Sequence, residues 1–127
     1  FSVSLKALSI TTKKANEILL FDNVITNKGN GYIASNGTFV CPKEGAYLIA
    51  FGILNRRAKF IHLNLIINGY VAIRAYTHGN NEWESAEKVT ICSLNKGDQV
   101  YIEVLEQGSK IYGEHYSSFA ATYIDDL

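Results

Sequence analysis

The stretch His78-Gly79-Asn80-Asn81-Glu82-Trp83-Glu84 concentrates side chains that bind things. Glu82 and Glu84 offer hard carboxylate oxygens, so both are candidate metal ligands. Trp83, with Tyr76 just upstream, supplies rings able to lie against sugar faces, and Arg74, Asn80 and Asn81 supply groups that bridge hydroxyls. These five residues are the candidate glycan surface, although in an assembly the same rings would serve equally to seal a boundary between subunits. The Gly-Asn-Asn sequence marks a turn, which puts the segment at the surface. A second cluster, Arg56-Arg57-Ala58-Lys59, is a basic run that reads either as a solvated loop or as a site for anionic groups.

Catalytic chemistry finds little footing. His62, His78 and His115 stand apart in sequence, and the chain has no Gly-x-Ser-x-Gly, no His-Glu-x-x-His and no phosphate-cradling glycine loop. The expectation is a binding protein and not an enzyme, with no organic cofactor. Lys96-Gly97-Asp98 has the outline of an integrin-recognition tripeptide, but Gly-Asp is also what a tight hairpin turn requires. Cys41 and Cys92 lack metal-ligand spacing and fit either two buried thiols or one bridge. Asn36-Gly37-Thr38 is a glycosylation sequon, which places Asn36 as the candidate modified residue and leans toward secretion.

The elements that must hold these residues are strands. Phe1, Val3 and Leu5 alternate with polar residues, as do Ile61, Leu63, Leu65 and Ile67, and Val100, Ile102 and Val104. Turn signals such as Asn36-Gly37, Asn68-Gly69 and Gln107-Gly108 recur at the spacing of a β-sandwich. Residues 12–18 hold a short helical pattern, too brief to stand alone in water. Residues 1–127 fit a single domain with a full core, and the chain, opening directly on a strand-like pattern, reads as a mature form or an excised domain. Twelve basic and twelve acidic residues cancel, so no field attracts nucleic acid, and no apolar run is long enough to insert in a membrane.

Two segments are apolar on both faces: Tyr47, Ile49 and Phe51 against Leu48 and Ala50, and Phe119, Ala121 and Tyr123 against Ala120, Thr122 and Ile124. One sandwich has one core, so the second face implies contact with another subunit. Tyr47, Phe51, Phe119 and Tyr123 are the candidate interface residues, the parity being open. Burying even ~600 Å² of apolar surface per subunit would contribute roughly 15 kcal/mol before the cost of association.

From Phe21 the sequence runs through Asn27, Tyr32, Phe39 and Gly45 to Tyr47, Ile49 and Phe51 at fixed spacings. This resembles the signature of the complement C1q domain family, with Ile49 where the family places an aromatic. Leu94-Asn95-Lys96-Gly97-Asp98-Gln99-Val100 looks like the family's late hairpin, Tyr116-Ser117-Ser118-Phe119-Ala120-Ala121 like its closing strand, and Phe1-Ser2-Val3 like its first. The resemblance implies an all-β, ten-stranded jelly-roll sandwich, similar to tumour-necrosis-factor ligands, packed as a homotrimer and secreted. It also implies calcium near the three-fold axis, where Glu84 falls near an acidic position of the family. For function it implies a lectin-like module for glycans, anionic groups or other microbial surface ligands in innate immunity, as in short invertebrate C1q-domain proteins. The alternative it implies is a receptor ligand or matrix component similar to cerebellin or adiponectin, binding protein.

Overall fold

A computed structural model describes residues 1–56, 60–78 and 82–126. The chain runs through β1 (Ser2–Ser4), β2 (Ser9–Thr11), β3 (Glu17–Ile18), β4 (Asn23–Thr26), β5 (Tyr32–Ile33), β6 (Thr38–Val40) and β7 (Gly45–Arg56). It continues through β8 (Ile61–Ile67), β9 (Tyr70–Thr77), β10 (Trp83–Leu94), β11 (Gln99–Val104), β12 (Lys110–Tyr112) and β13 (Ser118–Asp125). No helix forms among the described residues, and the helical pattern at residues 12–18 gives way to β3, which pairs with β11.

The strands form two antiparallel sheets, the expected jelly-roll sandwich. In the first sheet β7 has β10 along one edge and β13, then β12, along the other; β13 leads on to β1 and β4, and β12 to β2. The second sheet has the order β5-β6-β11-β8-β9, with β3 beside β11. Between them lies the core. Tyr47, Ile49, Phe51 and Ile53 enter it from β7, Phe119 and Ala121 from β13, and Ile61, Leu63, Leu65, Val100, Ile102 and Val104 from the second sheet. Period-two alternation forms these strands because each then buries one row of side chains and leaves the other to its opposite face.

An aromatic cluster closes one part of the interior. The Phe1 ring lies 5.1 Å from Tyr32, 4.7 Å from Phe39 and 4.9 Å from Phe119. The Tyr32 hydroxyl reaches the backbone of Phe21, while Asn27 brackets the backbone of Tyr32 from both N–H and C=O. That explains two of the spaced anchors: Asn27 fixes the loop that delivers Tyr32 into the core. Burial pushes the Tyr32 phenol above its ordinary pKa.

Cys41 is buried and donates to the Lys43 carbonyl at 3.1 Å, while Cys92 sits opposite Tyr47 and is half-buried. Both are free thiols, the first of the two readings left open by the sequence. Burial raises the Cys92 pKa.

Two turns depart from ordinary backbone for a reason. Asn68-Gly69 joins β8 to β9 with φ of 49° and 84°, the double left-handed geometry of a two-residue hairpin. The turn through Gly97, expected to close a hairpin, instead carries the chain from β10 in the first sheet to β11 in the second. Its Asp98 is committed locally: Oδ1 accepts from Asn68 Nδ2 and Oδ2 from the Asn95 N–H, both at 2.8 Å. The sheet-switching turn is thereby fastened to the β8–β9 hairpin.

At Gly113 the chain crosses the segment after β1, and the N–H groups of Gly113, Glu114 and His115 donate to Leu8, Ala7 and Leu5. A Cβ there would meet the Ala7 carbonyl oxygen at 1.8 Å. Gly113→Ala is therefore expected to lower unfolding stability by at least about 1–3 kcal/mol, the range of overpacked sites, read from the denaturant midpoint. Asp98→Ala, which leaves two donors without their acceptor, is expected to lose about 1–2 kcal/mol in the same measurement.

Candidate ligand-binding site

The candidate aromatic pair is divided by the sandwich. Opposed residues of an antiparallel pair share a face. Tyr76 lies opposite His62 on β8, beside the inward Ala75 and Thr77, and so stands on the outer face of the second sheet. Trp83 lies opposite Arg56 on β7, whose outward row belongs to the first sheet. The two rings stand on strands of different sheets, and Arg74 and Tyr76 line a pocket with Ser85, Glu87 and Lys88 of β10. Arg74 stays with Tyr76 on the second sheet, and Asn80 and Asn81 lie outside the described residues.

Around Tyr76 the structure assembles a group that the sequence scatters. Its ring is parallel to within 16° with His62 at 5.5 Å, its edge meets His78 at 4.9 Å, and its hydroxyl is 3.1 Å from His78 Nε2. Phe60 adds a fourth ring, 6.4 Å from His62. Glu106, immediately after β11, holds His62 from two sides: one carboxylate oxygen accepts the His62 backbone N–H at 2.8 Å and the other pairs with Nδ1. One register step away, Asn64 is flanked by Arg74 on β9 and Glu103 on β11, and its Nδ2 donates to Glu103 at 3.1 Å. Sequence reading named Tyr76 and Arg74 but missed His62, Asn64, Glu103 and Glu106. Alternation within β8 does put His62 and Asn64 on the outward row; what the sequence does not contain is the register that brings β11 and Glu106 beside them.

Trp83 has a different setting. Its ring meets Tyr112 edge-on at 4.9 Å, and the Arg56 guanidinium lies 5.3 Å from its centre. With Leu8, Leu54 and Tyr116 it lines an apolar groove on the first sheet's side. Leu8 and Tyr116 are each 71% exposed, so much of that groove faces solvent.

Of the two candidate metal ligands, Glu82 is drawn to Arg56, with 3.0 Å between Oε1 and Nη2. Glu84 is half-buried opposite Asn55, on the row of β10 that turns inward with Ala86. Among the described residues no three His, Cys, Asp or Glu side chains come together to hold an ion. The basic run is represented by Arg56 alone, since residues 57–59 lie outside the description. The Asp98 carboxylate, spent on its own turn, is a poor adhesive group.

The candidate contact residues Tyr47, Phe51, Phe119 and Tyr123 lie on the rows that turn into the protomer. Tyr47, Phe51 and Phe119 are buried inside the protomer, so they have nothing left to bury against a neighbour. Tyr123 is half-buried beneath Lys43, whose Nζ is 4.3 Å from the ring centre, and its hydroxyl donates to Asp126. The outward row is the alternate one: Leu48, Ala50 and Gly52 on β7, flanked by Ile91, Val89 and Glu87 on β10 and by Thr122, Ala120 and Ser118 on β13. Val89 and Ile91 are each 64% exposed. Asn36 is exposed in the turn between β5 and β6, its Oδ1 accepting from the Thr38 N–H at 3.0 Å.

Comparison with known proteins places this geometry. The C1q domain model matches residues 1–122. The chain is 30% identical over 99 residues to mouse complement C1q tumor necrosis factor-related protein 2, covering 76% of this chain and 33% of that one. It is 35% identical over 106 residues to zebrafish (Danio rerio) Caprin-2, covering 80% of this chain and 11% of that one. It thus spans a third or less of these relatives. Among solved structures the fold is similar to the globular domain of zebrafish complement 1qA protein, with a TM-score of 0.79 at 19% identity over 100% of this chain and 98% of the other. It is also similar to Eiger TNF from S. frugiperda, with a TM-score of 0.77 at 8% identity over 99% and 91%. The spaced residues from Phe21 to Phe51, the two-sheet jelly roll and the family match agree: this chain belongs to the C1q domain family.

Proposed function

We propose that this chain is an extracellular recognition domain that works as a homotrimer and binds glycans in a lectin-like way, including those of microbial surfaces in innate immunity. The observation that carries the reading is the contrast between the two outer faces. That of the first sheet is apolar and fine-grained at Leu48, Ala50, Ala120, Val89 and Ile91, a composition suited to close packing between copies. That of the second sheet carries rings, amides and charges and suits ligands with hydroxyls. C1q and tumour-necrosis-factor jelly rolls assemble as trimers, and three weak sites on one body gain avidity without new contacts. No helix among the described residues is long and apolar enough to cross a membrane, and the exposed Asn36 would accept a glycan along a secretory route.

Binding a protein receptor, in the manner of cerebellin or adiponectin globular domains, is the second reading. The groove of Leu8, Trp83, Tyr112 and Tyr116 favours it, because exposed aromatic side chains in a concave apolar setting anchor protein partners. Calcium belongs to the proposal only through the assembly. With no cluster among the described residues of one protomer, an ion would be held by Glu84 or Glu82 carboxylates of three copies, where it would relieve their mutual repulsion.

Light scattering is expected to give a mass near three times the 14.1 kDa of one chain. Val89→Lys with Ile91→Lys, both at exposed positions, is expected to give folded monomers; a trimer unchanged by that pair would exclude this face as the interface. A glycan array probed with the trimer, with and without calcium, is expected to show binding to sugars. A blank array leaves the receptor reading, and an unchanged Tm on adding calcium removes the ion.

A further inference from the structure

The outer face of the second sheet contains one group whose chemistry the fold does not complete. Asn64 is 3% exposed, yet among the described residues its Oδ1 has no hydrogen-bond partner. Buried acceptors are nearly always paired, since desolvating one without a donor is costly. The amide orientation is settled by its nitrogen, which donates to Glu103 Oε1. The register sets Glu103 of β11 on one side of Asn64 and β9 on the other. There the register places Arg74, which is exposed and forms no ion pair among the described residues. Next along β9 is Tyr76, its ring 52% exposed and stiffened by the His62–Glu106 pair.

We propose that Asn64 Oδ1, the Arg74 guanidinium and the Tyr76 ring form a subsite for one neutral, polyhydroxylated ligand unit, a hexose in chemical class. This rests on the glycan-binding reading above and assigns its place. The groups have complementary hydrogen-bonding valence. Asn64 Oδ1 requires a donor, Arg74 offers only donors, and a hydroxyl is the small group that gives to one while accepting from the other. An apolar C–H face of the same ring then covers Tyr76. The carboxylates of Glu103 and Glu106 lie beside the subsite, where they repel an acidic sugar. Asn64 is buried in the unliganded chain, so the proposed hydroxyl reaches it only if neighbouring side chains such as the exposed Arg74 move aside. Phe60 and His78 border the ring side and extend the surface for a second sugar unit.

The test titrates methyl glycosides of glucose, galactose, mannose and N-acetylglucosamine into the isotope-labelled full chain, with glucuronic acid as the anionic comparison. Side-chain resonances of Asn64 and Arg74 are expected to move with at least one neutral glycoside, while that of Trp83, on the opposite sheet, stays put. Asn64→Leu removes both the unpaired oxygen and the donor to Glu103, opposing effects that are expected to leave the chain folded with a small change in Tm, and it is expected to weaken the glycoside at least tenfold; Arg74→Ala, at an exposed position, weakens it without loss of fold. A glycoside that binds while leaving Asn64 and Arg74 unmoved, with Asn64→Leu as tight as the parent, overturns the subsite and leaves the lectin reading standing. Tighter binding of glucuronic acid than of every neutral sugar overturns the ligand class. Failure of every glycoside here and of every sugar on the array defeats the lectin reading and the subsite together.

Discussion

Strand β7 alternates between core and outward residues without a break from Gly45 to Arg56, and β10 and β13 are paired along it in continuous register over most of its length. Because a one-residue slip exchanges the faces of a strand, this register decides what the whole molecule presents. It sends Tyr47, Ile49, Phe51 and Ile53 inward to meet the second sheet and leaves Leu48, Ala50 and Gly52 outward with Val89, Ile91 and Ala120. The same rows fix Trp83 on one face of the molecule while Tyr76, fixed by β8, stands on the other.

Much of the fold was legible because it is local. Alternation in residues 61–67 and 99–104 gave β8 and β11, Asn68-Gly69 gave the turn that follows β8, and the spaced residues from Phe21 to Phe51 gave the family. The illegible parts depend on pairings distant in sequence. Whether Tyr47 or Leu48 faces the core is symmetric in a run apolar on both sides, and the second sheet is what breaks the symmetry. The turn at Gly97 has hairpin composition, yet its two strands go to different sheets, a fact that no local residue encodes.

The candidate site shows the same division. Arg74 and Tyr76 were recognisable as exposed groups on one strand, but their partners come from β8 and from the segment after β11. Glu106 has no apparent role in the sequence and acquires one only when β11 pairs with β8 and delivers it to His62. Trp83 was grouped with Tyr76 by nearness along the chain, but β9 and β10 belong to different sheets.

The side-by-side placement of β1 and β13 has a mechanical side. The two strands are antiparallel, with Ser2 opposite Ala120, so any segment before Phe1 and any segment after Asp125 leave from the same pole of the sandwich. Tension applied between those two points would open the β1–β13 pair from its end, one hydrogen bond after another, and not load its bonds in parallel. Tension through a single stalk would instead be shared with the strands flanking β1 on both sides, β13 and β4. Such a pairing resists pull through one end better than pull between the two, and β1 is the strand that would yield first in the second case.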